Sequence, residues 1–76
     1  MTAVRILGLD PGLRITGFGV IERHGTRFAY VASGCIRSGE GTLPERLATL
    51  FRGVDELIAT YRPTETAVEK VFVNLN

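Results

Sequence analysis

The sequence predicts an α/β fold: a mixed sheet of four strands in the order three, two, one, four, with one amphipathic helix packed on it. Three observations lead there. A nearly continuous apolar run, Ile6 to Leu9, ends at Asp10-Pro11-Gly12 and is followed by two more strand-like segments with short connections. Apolar residues then recur at helical spacing from Leu43 to Tyr61. A last apolar run, Thr66 to Val71, follows the helix.

Residues 4–10 read as a strand buried on both faces, because the run has almost no polar alternation. Asp-Pro-Gly is ordinary turn chemistry. Thr16 to Arg23 reads as the second strand, His24-Gly25 as a solvated turn, and Phe28 to Ile36 as the third strand. Connections this short make an antiparallel meander. Strict alternation puts Phe28, Tyr30, Ala32, Gly34 and Ile36 on one face of the third strand, and Ala29, Val31, Ser33 and Cys35 on the other. Ser38-Gly39-Glu40-Gly41 is a loop. Thr42-Leu43-Pro44-Glu45 matches a capping box, with Thr42 accepting from the Glu45 amide and Glu45 reaching back. Pro44 is tolerated in the first helical turn. Leu43, Leu47, Leu50, Phe51, Val54, Leu57, Ile58 and Tyr61 form one apolar stripe expected to pack on the sheet. Arg52 and Glu56 are spaced as an i,i+4 pair on the wet side, and Arg62-Pro63 stops the helix. The fourth strand, Thr66 to Val71, follows a crossover long enough for parallel pairing, and strand one is its natural partner.

At 76 residues the chain is one domain at most. A chain of this length buries only roughly 60% of the surface that its unfolded form exposes. With 45% hydrophobic and 22% charged residues it has the composition of a globular protein. No apolar run approaches the roughly 20 residues that span a bilayer. The N-terminus lacks a signal-peptide pattern, which points to the cytoplasm and to no membrane partner. The net charge of +1 is not the footprint of a stand-alone nucleic-acid module. The basic residues are nonetheless nearly all arginine, which suits bidentate phosphate contacts. Cys35 is alone, so no disulfide framework or cysteine-rich zinc site arises within the chain, and it reads as a small core residue.

The topology brings out a pair of acids. If strands one and four are parallel neighbours, their C-terminal ends lie side by side. Asp10 ends the first and Glu69 lies near the end of the other, flanked by Val68 and Val71. An acid within an apolar strand is paired or functional. Two carboxylates at one rim suit a divalent cation, because hard cations prefer oxygen ligands. Surface decoration with a neighbouring cation is the alternative, and the two positions together favour the metal reading. Two acids are also few for a catalytic centre, since several normally hold the ions of two-metal phosphodiester hydrolysis.

The chain resembles the RuvC-type Holliday-junction resolvases. The resemblance rests on Leu7-Gly8-Leu9-Asp10-Pro11-Gly12, Thr16-Gly17-Phe18-Gly19-Val20, Ser33-Gly34-Cys35-Ile36-Arg37, Leu43-Pro44-Glu45-Arg46-Leu47 and Val68-Glu69-Lys70-Val71-Phe72, in that order and spacing. It runs from Ile6 to Asn76. It implies an RNase H-like fold and a homodimer that cuts four-way DNA junctions in recombination and repair. It further implies Mg2+ (Mn2+ as the substitute) and a branch-migration helicase complex as partner. Asp10 and Glu69 match two of the family's four catalytic acids. Phe72 matches an aromatic that stacks on junction bases, a contact worth roughly 1–3 kcal/mol per base. Arg14, in the turn after Asp10, is a candidate phosphate contact, and Asn76 matches a family asparagine. Family members run to about twice this length, in line with a typical domain of 100–150 residues. Residues 1–76 are therefore expected to be the N-terminal part of one incomplete nuclease domain, inactive alone. Two other readings stand beside this one. The Gly-Leu-Asp-Pro-Gly piece also resembles the phosphate loop of actin-like and sugar-kinase-type nucleotide-binding proteins. A non-catalytic interaction fragment is the other.

Overall fold

The computed structural model describes residues 3–69. They form β1 (Val4–Asp10), β2 (Ile15–His24), β3 (Arg27–Arg37), α1 (Leu43–Tyr61) and β4 (Glu65–Val68). The sheet has the predicted order β3-β2-β1-β4. β1 pairs antiparallel with β2, β2 antiparallel with β3, and β1 parallel with β4. β4 begins one residue earlier than expected, and Val68 is its last residue. The remainder of the expected strand, at positions 70 and 71, lies outside the described residues.

The predicted alternation of β3 fails at one residue. Val20 pairs with Ala32 but Ile21 pairs with Tyr30, so Val31 is an extra residue in the ladder. Such a bulge exchanges the two faces on either side of it. Phe28 and Tyr30 therefore share a face with Ser33 and Cys35, and the Tyr30 hydroxyl lies 3.0 Å from Ser33 Oγ. Ala32, Gly34 and Ile36 lie on the other face, under α1. Cys35 is exposed on the uncovered face, opposite Ile36 and α1, and is not the core residue expected from its apolar neighbours.

α1 starts as its sequence dictates. Thr42 is the N-cap and accepts from the Glu45 amide. Glu45 does not reach back to a backbone amide; its Oε1 accepts the Thr42 hydroxyl at 3.0 Å. At the other end Arg62 adopts a left-handed conformation (φ 49°) and its amide closes on Ile58 O at 2.9 Å. The expected Arg52–Glu56 pair is not formed, because Arg52 Nη2 turns instead to Thr49 Oγ1 at 3.3 Å.

The helix covers the β3 side of the sheet at close range. A side chain at Gly53 would collide with Ile36. On that covered face Leu7 and Val20 stand opposite each other in the register and are fully buried, with Thr16 beside them. The apolar stripe of α1 is wider than this contact. Leu50, Val54, Leu57 and Tyr61 are half-buried, whereas Leu43, Leu47, Phe51 and Ile58 are exposed. One helix lying on a twisted sheet buries about a third of its circumference, and this stripe exceeds that.

Arg5 fastens the crossover. Its Nη1 donates to Tyr61 O at 2.9 Å and its Nη2 to Glu22 Oε1 at 3.1 Å. The last turn of α1 has no basic residue of its own, so Arg5 supplies the positive charge that favours a helix C-terminus. Thr64 N then donates to Arg5 O at 2.9 Å and starts β4 alongside β1. Leu7→Ala should lower unfolding stability by about 2–5 kcal/mol, read as a shifted urea midpoint at unchanged slope. Arg5→Ala, at a half-exposed position, should cost about 1 kcal/mol and speed amide exchange at Thr64 before the rest of the sheet.

Candidate functional site

The register of β1 against β4 places the two acids. Leu9 pairs with Val68, so the next residues on each strand are Asp10 and Glu69. The Glu69 amide donates to Leu9 O at 3.0 Å, which carries the ladder one residue past the end of β4. Both acids are exposed at the rim formed by the C-terminal ends of two parallel strands. Asp10 pairs with Gly17 on β2, where an added Cβ would lie 3.8 Å from Asp10 Cβ. The face there is the open one, opposite α1.

The Glu69 carboxyl is held above the ordinary glutamate range. The first cause is its hydrogen bond with the Asp10 side chain, then the negative charge of Asp10, and last slight desolvation. Two carboxylates this close resist joint ionisation. A divalent cation relieves the same repulsion. Four carboxyl oxygens open to solvent are a donor set that fits a hard cation. Among the described residues, no third His, Cys, Asp or Glu completes a metal-binding cluster with them.

From the acids a broad open trough of about 730 Å³ runs across the uncovered face. Gly8, Gly17 and Gly19 pave it, with Ala67 and Ser33 at its sides. The spacing of these glycines was visible in the sequence; that they share one face followed from the pairing of Gly8 with Gly19. A floor without side chains lets another backbone approach closely.

Arg14 is exposed in the loop that follows Asp10, and its backbone oxygen accepts from Ser38 N and Ser38 Oγ. Phe72 and Asn76 lie outside the described residues. Sequence reasoning missed Ser38 and Arg46, which hold the loop between Asp10 and Ile15. The signal available for them was only their place in the Ser-Gly-Cys-Ile-Arg-Ser and Leu-Pro-Glu-Arg-Leu segments. No helix among the described residues is long and apolar enough to cross a membrane.

A family model described as crossover junction endodeoxyribonuclease RuvC matches residues 6–76. The chain is 65% identical over 77 residues to the crossover junction endodeoxyribonuclease RuvC of Dechloromonas aromatica (strain RCB), a match covering 100% of this chain and 43% of that protein. It is 66% identical over 73 residues to the protein of the same name from Thiobacillus denitrificans (strain ATCC 25259 / T1), covering 96% of this chain and 43% of that protein. The chain thus spans less than half the length of these relatives. Among solved structures, T. thermophilus RuvC in complex with Holliday junction substrate matches with a TM-score of 0.77 at 24% identity, covering 96% of this chain and 46% of that chain. This likeness shows the fold, which is RNase H-like. An actin-like or sugar-kinase-type segment is not favoured by these matches. The five segments that carried the resemblance, the strand order and the family match over nearly the whole length agree: the chain belongs to the RuvC family of crossover junction endodeoxyribonucleases.

Proposed function

We propose that residues 1–76 form the N-terminal part of a single nuclease domain that hydrolyses phosphodiesters at four-way DNA junctions in recombination and repair. The observation that carries this is the Asp10–Glu69 pair, two acids from different strands meeting at one solvent-open rim beside a glycine-paved trough. Asp10 and Glu69 are the ligands this segment contributes to a divalent cation, Mg2+ with Mn2+ as the substitute. When bound, such a cation polarises a phosphoryl oxygen and lowers the pKa of water.

The residues of the chain do the rest of the positioning. Asp10 is the last residue of β1 and the Glu69 amide still bonds Leu9 O, so both carboxylates are placed by the sheet rather than by a loop. Asp10 and Glu69 would hold the cation through their carboxyl oxygens, and its charge would offset the repulsion between them. Arg14 lies in the loop adjoining Asp10, where a guanidinium can pair with a substrate phosphate. Phe72, three residues past Glu69, is assigned base stacking at the junction, and Asn76 a further DNA contact. The trough admits the phosphodiester backbone and the further acids that such a centre requires. The protein acts as a homodimer, with a branch-migration helicase complex as partner, in the cytoplasm. Supporting these assignments are the family membership and the junction named for the T. thermophilus relative.

Residues 1–76 alone supply two ligands and should not cut a synthetic junction in Mg2+; cleavage by the purified segment would contradict the reading. In a protein of the relatives' length, Asp10→Asn should reduce junction cleavage by several orders of magnitude and leave junction binding within about twofold. Retained cleavage would remove Asp10 from the chemistry. The same substitution removes the negative charge of Asp10 and turns a carboxylate neighbour into an amide that can donate to Glu69, so a carbon-NMR titration should show the Glu69 carboxyl falling toward the ordinary glutamate range. The sign for the unsubstituted chain follows from an acid whose folded value is raised. Its contribution to stability is lost as pH climbs from the ordinary glutamate value through the raised one. Cation affinity should rise over the same interval, because a protonated carboxyl is a poor cation ligand. Mg2+ titrations followed by the Asp10 and Glu69 carboxyl signals at several pH values check this.

A further inference from the structure

Two side chains remote from Asp10 in sequence grip the loop that follows it. Arg46, in the first turns of α1, donates from Nη1 to Leu13 O at 2.7 Å across 33 positions. Ser38, just past β3, donates twice to Arg14 O, from its amide at 2.9 Å and from Oγ at 3.0 Å. Two consecutive carbonyls of a four-residue exposed loop are therefore held from outside the hairpin. Surface loops of this length ordinarily bond to themselves or to water and remain mobile. The loop is also closed from within, because a side chain at Gly12 would run into the Ile15 carbonyl.

The way Arg46 is held argues that the grip on the loop is what selects an arginine there. Its Nε is buried without a hydrogen-bond partner among the described residues. Burying an N–H in that state is unfavourable, so helix packing alone disfavours arginine at this position. Ser38 is likewise one of the two buried polar side chains among the described residues, at 8% exposure. The direction of Arg46 is set by the helix start, where the Arg46 amide bonds Thr42 O at 3.0 Å and Thr42 and Glu45 form their reciprocal pair. The result is a mechanical link from the N-terminus of α1 to the loop between Asp10 and Ile15.

We propose that Arg46, assisted by Ser38, is a positioning residue: it locks the 11–14 loop so that Arg14 is presented to substrate phosphate beside Asp10 and Glu69. The inference rests on the phosphodiester reading above. Arg46 acts here through its Nη1 bond to Leu13 O, and a double-mutant cycle separates that role from a direct phosphate contact. Locking the loop in advance removes an ordering cost that would otherwise fall on substrate binding.

The test is a double-mutant cycle in a protein of the relatives' length, with four-way junction DNA as probe and the loop followed by amide hydrogen exchange. Arg14→Ala and Arg46→Ala should each weaken junction binding by roughly three- to tenfold and lower the salt slope by about one unit. The double variant should bind no more weakly than the poorer single one, because both act through the same contact. Arg46→Ala should also speed exchange at Leu13 and Arg14 while leaving β1 amides protected. Ser38→Ala, which keeps the amide donor, should show the same pattern more weakly and serves if Arg46→Ala fails to fold. Multiplicative losses in the cycle would make Arg46 an independent phosphate contact and overturn the proposal, as would unchanged loop exchange. A wild-type protein that ignores junction DNA would sink the phosphodiester reading instead; the exchange measurement then decides the clamp by itself.

Discussion

The parallel pairing of β1 with β4 is the constraint on which the site depends. Asp10 and Glu69 are brought together only because Leu9 stands against Val68. A slip of one residue in that register would carry Glu69 to the covered face, since side chains alternate along a strand. Parallel pairing has no tight turn to set its register, so it must be set elsewhere. Arg5 does this at the opposite end of the strand: its carbonyl takes the Thr64 amide, and its guanidinium holds the last carbonyl of α1 and the Glu22 carboxylate. The structural fastening and the candidate site occupy the two ends of one seven-residue strand.

The two faces of the sheet are unlike. The covered face has Leu7 and Val20 fully buried and a helix brought close by Gly53. The open face is floored by glycine and carries exposed aromatics, Phe28 and Tyr30. Charge follows the same division. The one described ion pair that includes arginine, Arg5 with Glu22, is an anchor between β1 and β2, whereas the two acids at the rim lie close together and Asp10 raises the Glu69 carboxyl. Close like charges that are left uncompensated mark functional sites more often than structural ones.

Much of the architecture was legible in the residues. Asp10-Pro11-Gly12, the capping sequence at Thr42 and the Arg62-Pro63 stop each act over a few positions, and local chemistry is what a sequence displays directly. The faces of β3 were not legible, because the bulge at Val31 arises from fitting β3 to β2 and leaves no mark in β3 itself. The exposure of Cys35 followed from the helix packing on the opposite face, against Ile36. The helical stripe was read correctly as a pattern but not as burial: Leu43, Leu47, Phe51 and Ile58 match the period yet remain exposed. Periodicity reports which side chains are apolar, while burial depends on how far the opposing sheet extends.

Residue types and spacing by themselves determined the element order, the parallel crossover and the nomination of Asp10 and Glu69, since those follow from apolar runs, turn chemistry and connection lengths. The tertiary structure alone decided that the two carboxyls stand close enough for Asp10 to raise the Glu69 value and that the rim opens onto a glycine floor. It alone decided that Arg46 and Ser38 reach back to the loop after Asp10. These are contacts between residues 24 to 59 positions apart. Their geometry is set by sheet register and helix placement, which no local pattern encodes.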